Sequence, residues 1–512
     1  MIGLLTVRAL LSAVVGYAAM SDGLVVGNRS AKCMAKSGEP RCDGILLGAA
    51  TSAPPPTGSG GWNTSGVKER ALHWLRSGTR SLMLHGFWRW QWADAVLPVT
   101  IDEAAEAFKF DHASIQHMRY WPPHAGMPYF ATDLLEELDA DGEYYLNRSS
   151  GDLFIIPPKG SDSSRMAVEV SVPLEDSGVT ACQGSSPSQE CCWAGGMCSF
   201  VACPEPAETP GVCSANSTCN DGRDGMLDCQ LAPALVRFLH ADGIRWLGID
   251  VQGGRGTAIH SLNSSNLLLS NFSVSNMAVK GIVVSGGRNV TVRRAHISQT
   301  GMGGIALSGG TRETLESSLH VLEDSEIHHV DRWKYTEVPA VDMEGVGVVV
   351  RHNHIHHKKH HAFRQGGNNH RISFNLVEHT TQECWDCGMY HSGRDLTWRG
   401  NVMEANVVVT DDAAYRRRFP CVPTATSCVR AAFYFDDHQS GVDLRRNVVV
   451  GYENGVFIHF GRWNRVRENL FINCGVAVAI EACSGKCYAT FQLNSSDPQA
   501  IALRAAMAWP EW

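Results

Sequence analysis

The sequence predicts an all-β protein whose largest part is a right-handed parallel β-helix, a solenoid that carries a small β-rich insertion domain and a cysteine-rich insertion. Two observations predict this fold. From Ile244 onward, short β-branched segments recur at a nearly constant interval, which is typical of a repeat architecture. An asparagine also recurs at one place in several segments, which indicates a ladder of stacked amides inside the turns.

Each recurring segment can be anchored on one apolar residue. Neighbouring anchors lie 22 to 30 residues apart, apart from one step of 46 residues. The anchors are Val251, Val274, Ile297, Ile327, Ile355, Val377, Met403, Val449 and Phe471. We interpret each ordinary step as one coil, stacked about 4.8 Å from the next. An α-solenoid is disfavoured because the segments are short, β-branched and separated by Gly, Asn and Ser turns.

The predicted ladder consists of asparagines that stand two residues before an anchor: Asn353, Asn375, Asn401, Asn447 and Asn469. The long step contains TDDAAYRRRFPCVPTATSCVR, which predicts a long loop leaving one coil. Cys421 and Cys428 could close that loop. Long loops on a regular scaffold usually border a binding site.

Five regions follow along the chain. Residues 1–23 predict a secretory signal peptide, because a short apolar run from Ala9 to Ala19 precedes small residues and cannot span a bilayer. Residues 24–69 form a low-complexity leader, and residues 70–160 alternate in the manner of a small β domain. Residues 181–230 hold eight cysteines and predict a disulfide-stapled insertion, and residues 240–490 form the β-helix.

Composition indicates a secreted, extracellular protein that does not bind nucleic acid. The chain has 17 cysteines, and its net charge of −8 leaves no broad basic face for nucleic acid. After signal cleavage no membrane association is expected. Eight N-x-S/T sequons, which are usable only in a secretory lumen, support export; they begin at Asn28, Asn63, Asn147, Asn216, Asn263, Asn271, Asn289 and Asn494.

Candidate ligand-binding residues emerge when positions are counted back from the asparagines of four successive coils. Eleven residues back are Arg364, Tyr390, Asp436 and Ile458, and ten residues back are Gln365, His391, Asp437 and His459. Polar and ionisable side chains on consecutive coils favour a ligand groove. His361, Arg394 and Asp395 are further candidates for contacting a substrate.

Three aspartates are the candidate catalytic groups. Asp386 is expected one coil from Asp436 and Asp437, which follow the aromatic segment AAFYF. That offset falls in the range of carboxylate separations that glycosidases use, about 5 to 9.5 Å, without choosing between retention and inversion. The alternative is that these aspartates cap turns.

Two other motifs contain residue types that bind metals, but neither predicts a metal site. In RHNHIHH, strand alternation places His352, His354 and His356 on one face, where they could ligate zinc or copper. No flanking carboxylate or cysteine completes the set, so we expect a polar coil surface. Cys384 and Cys387 are expected to form a structural disulfide rather than a redox site or a zinc knuckle with His391. No cofactor is expected.

Several stretches resemble right-handed β-helix carbohydrate-active proteins of glycoside hydrolase family 141. LHGFWRWQWADAVLPV and LLEELDADGEYYLNRSSGDLFIIPP resemble the insertion domain of that family, and IRWLGIDVQGGRG, GMYHSGRDLTWRGNV and FYFDDHQSG resemble its coils. The family's opening coils are replaced here by the leader, so either the chain is truncated or the insertion domain caps the first coil.

The resemblance implies a retaining α-L-fucosidase or xylanase that acts on a polysaccharide or glycan with two aspartates, Asp386 and either Asp436 or Asp437. One alternative is a polysaccharide lyase that uses calcium, with Arg394 or Arg445 as the base beside Asp395 or Asp443. A second alternative is a non-catalytic carbohydrate-binding or structural β-helix.

Overall fold

A computed structural model describes residues 7–8, 45–46, 59–61, 67–79, 81–103, 107–110, 127–132, 134–139, 143–147, 150, 152–157, 234–423 and 427–481. The predicted all-β class is confirmed, since long parallel sheets dominate the described residues. The cysteine-rich insertion and most of the predicted signal peptide and leader lie outside them. No described helix is long and apolar enough to cross a membrane.

The chain divides into two compact units. The first comprises residues 1–233, 253–256 and 421–427, and its described strands pair antiparallel. A six-stranded sheet has the order Ile45–Leu46, Pro128–Thr132, Ser81–Phe87, Asp94–Asp102, Ala107–Phe110, Ser59–Gly61, and a three-stranded sheet has the order Val7–Arg8, Asp152–Ile155, Tyr144–Leu146. The helix Val67–Arg76 and the 3₁₀ turn Leu135–Glu137 complete the unit, and the helix was not predicted from the sequence.

The second unit is built on parallel strands. Sheet A has ten strands, and their order in the sheet is their order in the chain. They are Val236–Leu239, Ile259–Leu262, Ile282–Ser285, Ile305–Gly309, Val341–Gly345, Phe363–Gln365, Cys387–Ser392, Arg430–Phe435, Asn454–His459 and Val476–Glu481. Each strand is paired in parallel with the one before it, so the chain returns to this sheet once per coil.

The other large sheet has sixteen strands in two arms, which meet in the long strands Ser265–Ser275 and Arg288–Ser298. Arm B contains Arg245–Leu247, Val321–Glu323, Val349–Arg351, Arg371–Ser373, Val402–Glu404, Asp443–Arg445 and Arg465–Arg467. Arm C contains Val251–Gln252, Glu326–His328, His354–His356, Leu376–Glu378, Val407–Val409, Val448–Val450 and Leu470–Ile472. A coil therefore passes once through sheet A, once through arm B and once through arm C.

The predicted anchors form a single parallel column in arm C, with one exception. Val251, Val274, Ile297, Ile327, Ile355 and Val377 face one another in register, as do Val449 and Phe471. Met403 does not belong to this column, because it pairs with Ile372 in arm B. The anchor of its coil is Val408, which pairs with both Val377 and Val449.

The asparagine ladder differs from the prediction in the same coil. Side-chain amides stack in the order Asn353, Asn375, Asn406, Asn447 and Asn469, with Nδ2 to Oδ1 distances of 2.9 to 3.0 Å. Asn406 occupies the place predicted for Asn401. Asn401 is also buried, but it serves an earlier turn of the coil, where its Oδ1 accepts from the backbone N–H of His370.

The long step in the chain contains the helix Asp412–Arg418. Asp411 caps this helix by accepting a hydrogen bond from the Ala414 N–H. Asp412 binds the fully buried guanidinium of Arg430, whose Nη2 also donates to the Cys384 carbonyl. The helix is therefore connected, through Arg430, to the strand and the turn that carry the candidate site.

Candidate active site

Strand alternation in sheet A separates core side chains from a column of outward-facing ones. Phe363, Tyr390, Phe433 and Val456 pair in register and belong to the hydrophobic core. The next residue of each strand projects to the opposite face of the sheet. This outer column, read along the sheet, is Asp342, Arg364, His391, Tyr434 and Phe457.

Asp386 precedes the strand Cys387–Ser392, in a turn held by the Cys384–Cys387 disulfide. Its Oδ1 accepts a 2.6 Å hydrogen bond from the Tyr434 hydroxyl in the neighbouring strand. Burial raises the pKa of Asp386 to about 6; the Tyr434 hydrogen bond opposes this shift and the charge of Asp436 adds to it. At weakly acidic pH the Asp386 carboxyl therefore carries a proton.

Asp436 follows the strand Arg430–Phe435 and lies between two imidazoles. His459 Nδ1 is 2.8 Å from Asp436 Oδ1, and His391 Nε2 is 3.3 Å from Asp436 Oδ2. Burial alone would raise the pKa of Asp436, but the two histidines hold it well below its usual range. The Asp436 carboxylate in turn outweighs burial at His391 and His459 and raises the pKa of each. Asp436 is therefore the carboxylate that stays ionised at weakly acidic and neutral pH.

Asp437 lies at the edge of the same cluster. Its Oδ2 accepts a 3.1 Å hydrogen bond from Arg394 Nε, and its Oδ1 is 3.5 Å from His459 Nδ1. Asp395 is placed differently, since it accepts from the backbone N–H of Thr397 and pairs with Arg312 at 3.4 Å. These contacts give Asp395 a role in holding a turn.

A second ionisable group of residues adjoins the first through stacked imidazoles. The rings of His361 and His391 stack with centroids 4.6 Å apart. His361 Nε2 lies 3.7 Å from Glu337 Oε1, and Arg364 lies 3.8 Å from Glu337 and 2.6 Å from Asp342. Burial lowers the pKa of His361 to about 4, so this imidazole is neutral at neutral pH.

The structure brings most of the predicted site residues together, but not all. Asp386, Asp436, Asp437, His391 and His459 share one network. Tyr390 does not join them, because its ring lies in the core and its hydroxyl donates to Gln365 inside the coil. The counting placed His391 in register with Asp437, whereas His391 pairs with Tyr434, because loops of unequal length separate the strands from the asparagines.

Sequence reasoning missed Tyr434 and Glu337. Tyr434 could have been found, since strand alternation in FYFDD puts it on the same face as Asp436, two residues later. Glu337 lies in the connection before the strand Val341–Gly345, where no sequence period points to it.

The two cysteines beside Asp386 form a structural disulfide. Cys384 and Cys387 are bonded to each other and fully buried, which confirms the predicted structural disulfide and leaves no thiolate for a zinc knuckle. Cys421 and Cys428 are also disulfide-bonded. These bonds are compatible with an extracellular protein. Among the described site residues, two clusters could hold a cation: Asp436, Asp437 and His459, and Glu337, His360 and His361.

The two alternative bases named for a lyase lie in different places. Arg445 lies in arm B, where it pairs with Glu404 at 2.7 Å and with Asp443 at 2.8 Å. Arg394 lies after a strand of sheet A and is bonded to Asp437.

Comparison with known proteins gives one structural likeness. No protein-family profile matches the chain, and no curated protein matches it. A solved structure named "Glycoside hydrolase" superposes with a TM-score of 0.46 at 14% sequence identity, covering 85% of this chain and 78% of that chain.

Proposed function

We propose that the chain is a secreted right-handed parallel β-helix that hydrolyses glycosidic bonds, with Asp386 as the general acid/base and Asp436 as the ionised carboxylate. One observation carries this proposal. Two carboxyl groups that flank neighbouring strands of sheet A have environments that move their pKa values apart, to about 6 for Asp386 and well below the usual range for Asp436. Glycosidases need such a difference between a proton donor and an anion.

The two groups would act in sequence. The protonated Asp386 carboxyl would donate its proton to the leaving glycosidic oxygen while positive charge develops at the anomeric carbon. Asp436, ionised by His391 and His459, would attack that carbon in a retaining reaction, forming a glycosyl ester as the glycosidic bond breaks. The Asp386 carboxylate would then take a proton from a water molecule, whose oxygen would attack the anomeric carbon, break the bond to Asp436 and release the sugar. The resemblance to family 141 favours this route over inversion, in which Asp436 would instead activate a water molecule.

The other site residues would bind and orient the glycan. Asp437, Arg394 and His459 offer charged and polar groups beside Asp436. Arg364 continues this surface along the outer column, where the buried His361 ring stacks on His391 and supports it. The family resemblance proposes an α-L-fucoside or xylan as substrate, and a polysaccharide or glycoprotein glycan as the natural one.

Two variants test the roles separately. Assays would use aryl α-L-fucosides and xylan with the parent, Asp386→Asn and Asp436→Gly. We expect Asp386→Asn to lose at least 100-fold in kcat/KM on xylan but much less on aryl glycosides, whose leaving groups need little protonation. Asp436→Gly should be inactive, and azide should restore turnover with formation of a glycosyl azide.

Asp324→Asn is the matched control, since Asp324 is an exposed aspartate at a corner before a strand of arm C and should leave activity unchanged. Equal activity of the parent and both site variants on every hydrolysed substrate would overturn the assignment. Glycan binding without turnover by the parent would favour the non-catalytic alternative. Unsaturated uronate products that absorb ultraviolet light would favour a lyase.

A further inference from the structure

The outer face of arm C carries an array of histidine and glutamate side chains that the proposed reaction does not use. In register, His296, Glu326 and His354 form one row across three coils. His328 and His356 form the parallel row two residues along each strand. The residues between the rows, such as Ile327 and Ile355, are fully buried in the core, so both rows face solvent.

The ligand atoms of this array converge on Glu326. His356 Nε2 lies 3.1 Å and His354 Nδ1 lies 3.9 Å from Glu326 Oε1, and His296 Nε2 lies 3.8 Å from Glu326 Oε2. His296 Nε2 and His328 Nε2 are 2.9 Å apart. Two overlapping sets, one with His296 and His328 and one with His354 and His356, each hold three ligand atoms within 4.8 Å of one another around Glu326.

Two more imidazoles, those of His329 and His357, lie against histidines of the array. His328 Nδ1 lies 2.7 Å from His329 Nδ1, and His356 Nδ1 lies 2.6 Å from His357 Nδ1. The His328 and His356 rings stack with centroids 4.6 Å apart and planes at 9°. Metal-binding histidines characteristically hydrogen-bond a neighbouring group through the second ring nitrogen, which fixes the tautomer and the ring orientation, and His329 and His357 offer such partners here.

We propose that this array binds one first-row divalent transition-metal ion, such as Zn²⁺, through Glu326 and a pair of histidines. Imidazole and carboxylate ligands suit Zn²⁺, Cu²⁺ and Ni²⁺ better than Mg²⁺ or Ca²⁺. Tetrahedral zinc with bonds of about 2.0 to 2.1 Å places its ligand atoms about 3.3 Å apart, near the spacings in the array. Because both sets share Glu326, the proposal is for one ion held by Glu326 with one of the two histidine pairs, and the remaining coordination positions are open to water.

The expectation of no metal, drawn from the sequence, is revised by this proposal. The run of histidines lacked a carboxylate because Glu326 comes from the preceding coil, 28 residues before His354. His352, which alternation placed beside His354 and His356, instead stacks on Phe374.

The test measures metal binding by the full-length, tag-free protein. After equilibration with Zn²⁺ in excess Mg²⁺ and Ca²⁺, bound metal is counted by mass spectrometry and affinity is measured by calorimetry. We expect Glu326→Gln to lose one equivalent of Zn²⁺ relative to the parent. His328→Asn or His356→Asn should weaken binding at that site at least tenfold, and whichever does so identifies the histidine pair.

His352→Asn is the matched control and should keep the ion, since His352 is an exposed histidine of the same run that lies outside the array. Circular dichroism of each variant confirms folding. The proposal is overturned if Glu326→Gln binds as much Zn²⁺ as the parent, or if His352→Asn loses as much as the array variants. Because binding is read directly, the result does not depend on glycosidase activity.

Discussion

At the scale of single residues, the candidate site depends on two aspartates, Asp386 and Asp436, that have the same side chain but different pKa values. The Asp386 carboxyl is largely buried and accepts a hydrogen bond from one neutral group, the Tyr434 hydroxyl, whereas Asp436 lies between two imidazoles. Desolvation disfavours the charged form of both, and only Asp436 has enough donors to reverse that effect. The difference is therefore set by the neighbours of each carboxyl.

Tyr434→Phe tests this account through a pH profile. The Tyr434 hydrogen bond stabilises ionised Asp386, so its removal should raise the pKa of Asp386 above about 6. Because the acid must be protonated, the alkaline limb of kcat/KM should move to higher pH, while the maximal rate falls about tenfold as the carboxyl loses its orientation. An alkaline limb that stays in place or moves to lower pH would contradict the proposed role of Tyr434.

At the scale of elements, the asparagine ladder holds the corners of successive coils. Asn406 Oδ1 accepts from both the backbone N–H and the side-chain amide of Asn375, and Asn406 Nδ2 donates to the Ile372 carbonyl and to Asn447 Oδ1. All of these groups are buried. Each amide is thus fully hydrogen-bonded where water is excluded.

We expect Asn406→Ala to destabilise the second unit by about 2 to 4 kcal/mol, because it leaves buried donors and acceptors without partners. Chemical denaturation followed by circular dichroism would measure the loss. Asn266→Gly is the control, since Asn266 is exposed, its positive φ of 55° is one that Gly tolerates, and its side chain hydrogen-bonds Asp242 and Asn289 on the surface. Equal effects of the two substitutions would show that the ladder adds no stability.

The strand pairings also show how well sequence periodicity predicts the anchor residue of each coil. Eight of the nine anchors were placed correctly because a β-branched core residue recurs once per coil, wherever the loops permit a constant step. Met403 and Asn401 were wrong because their coil contains two similar segments, GNVME and ANVVV, five residues apart. Only the pairing of Val408 with Val377 distinguishes the two.

The candidate site was harder to predict than the coils. The proximity of Asp386 to Asp436 and Asp437 could be predicted because these carboxylates flank β segments of adjacent coils. The side chains that contact these aspartates could not be predicted, since the number of residues between a strand of sheet A and the asparagine of its coil changes with loop length. Tyr390 was assigned to the groove for this reason, and its burial follows from pairing with Phe363 and Phe433.

At the scale of the whole molecule, the proposed general acid should cost stability at neutral pH. Its folded pKa of about 6 exceeds the ordinary 3.8, so the fold favours the protonated form. The Asp386 contribution to stability is therefore fully present below pH 3.8 and is lost as the pH rises to 6. A shift of about two pKa units corresponds to about 3 kcal/mol.

Asp386→Asn removes the titration but keeps the size of the side chain, so this variant, although impaired on xylan, should unfold at a higher temperature than the parent at pH 8. At pH 3.5 the two proteins should unfold at nearly the same temperature, because the parent carboxyl is then neutral. Calorimetry at both pH values, with Asp324→Asn as control, measures the difference. A stabilisation independent of pH, or a destabilisation at pH 8, would mean that Asp386 is not a buried carboxyl held in its protonated form, and the general-acid role would lose its physical basis.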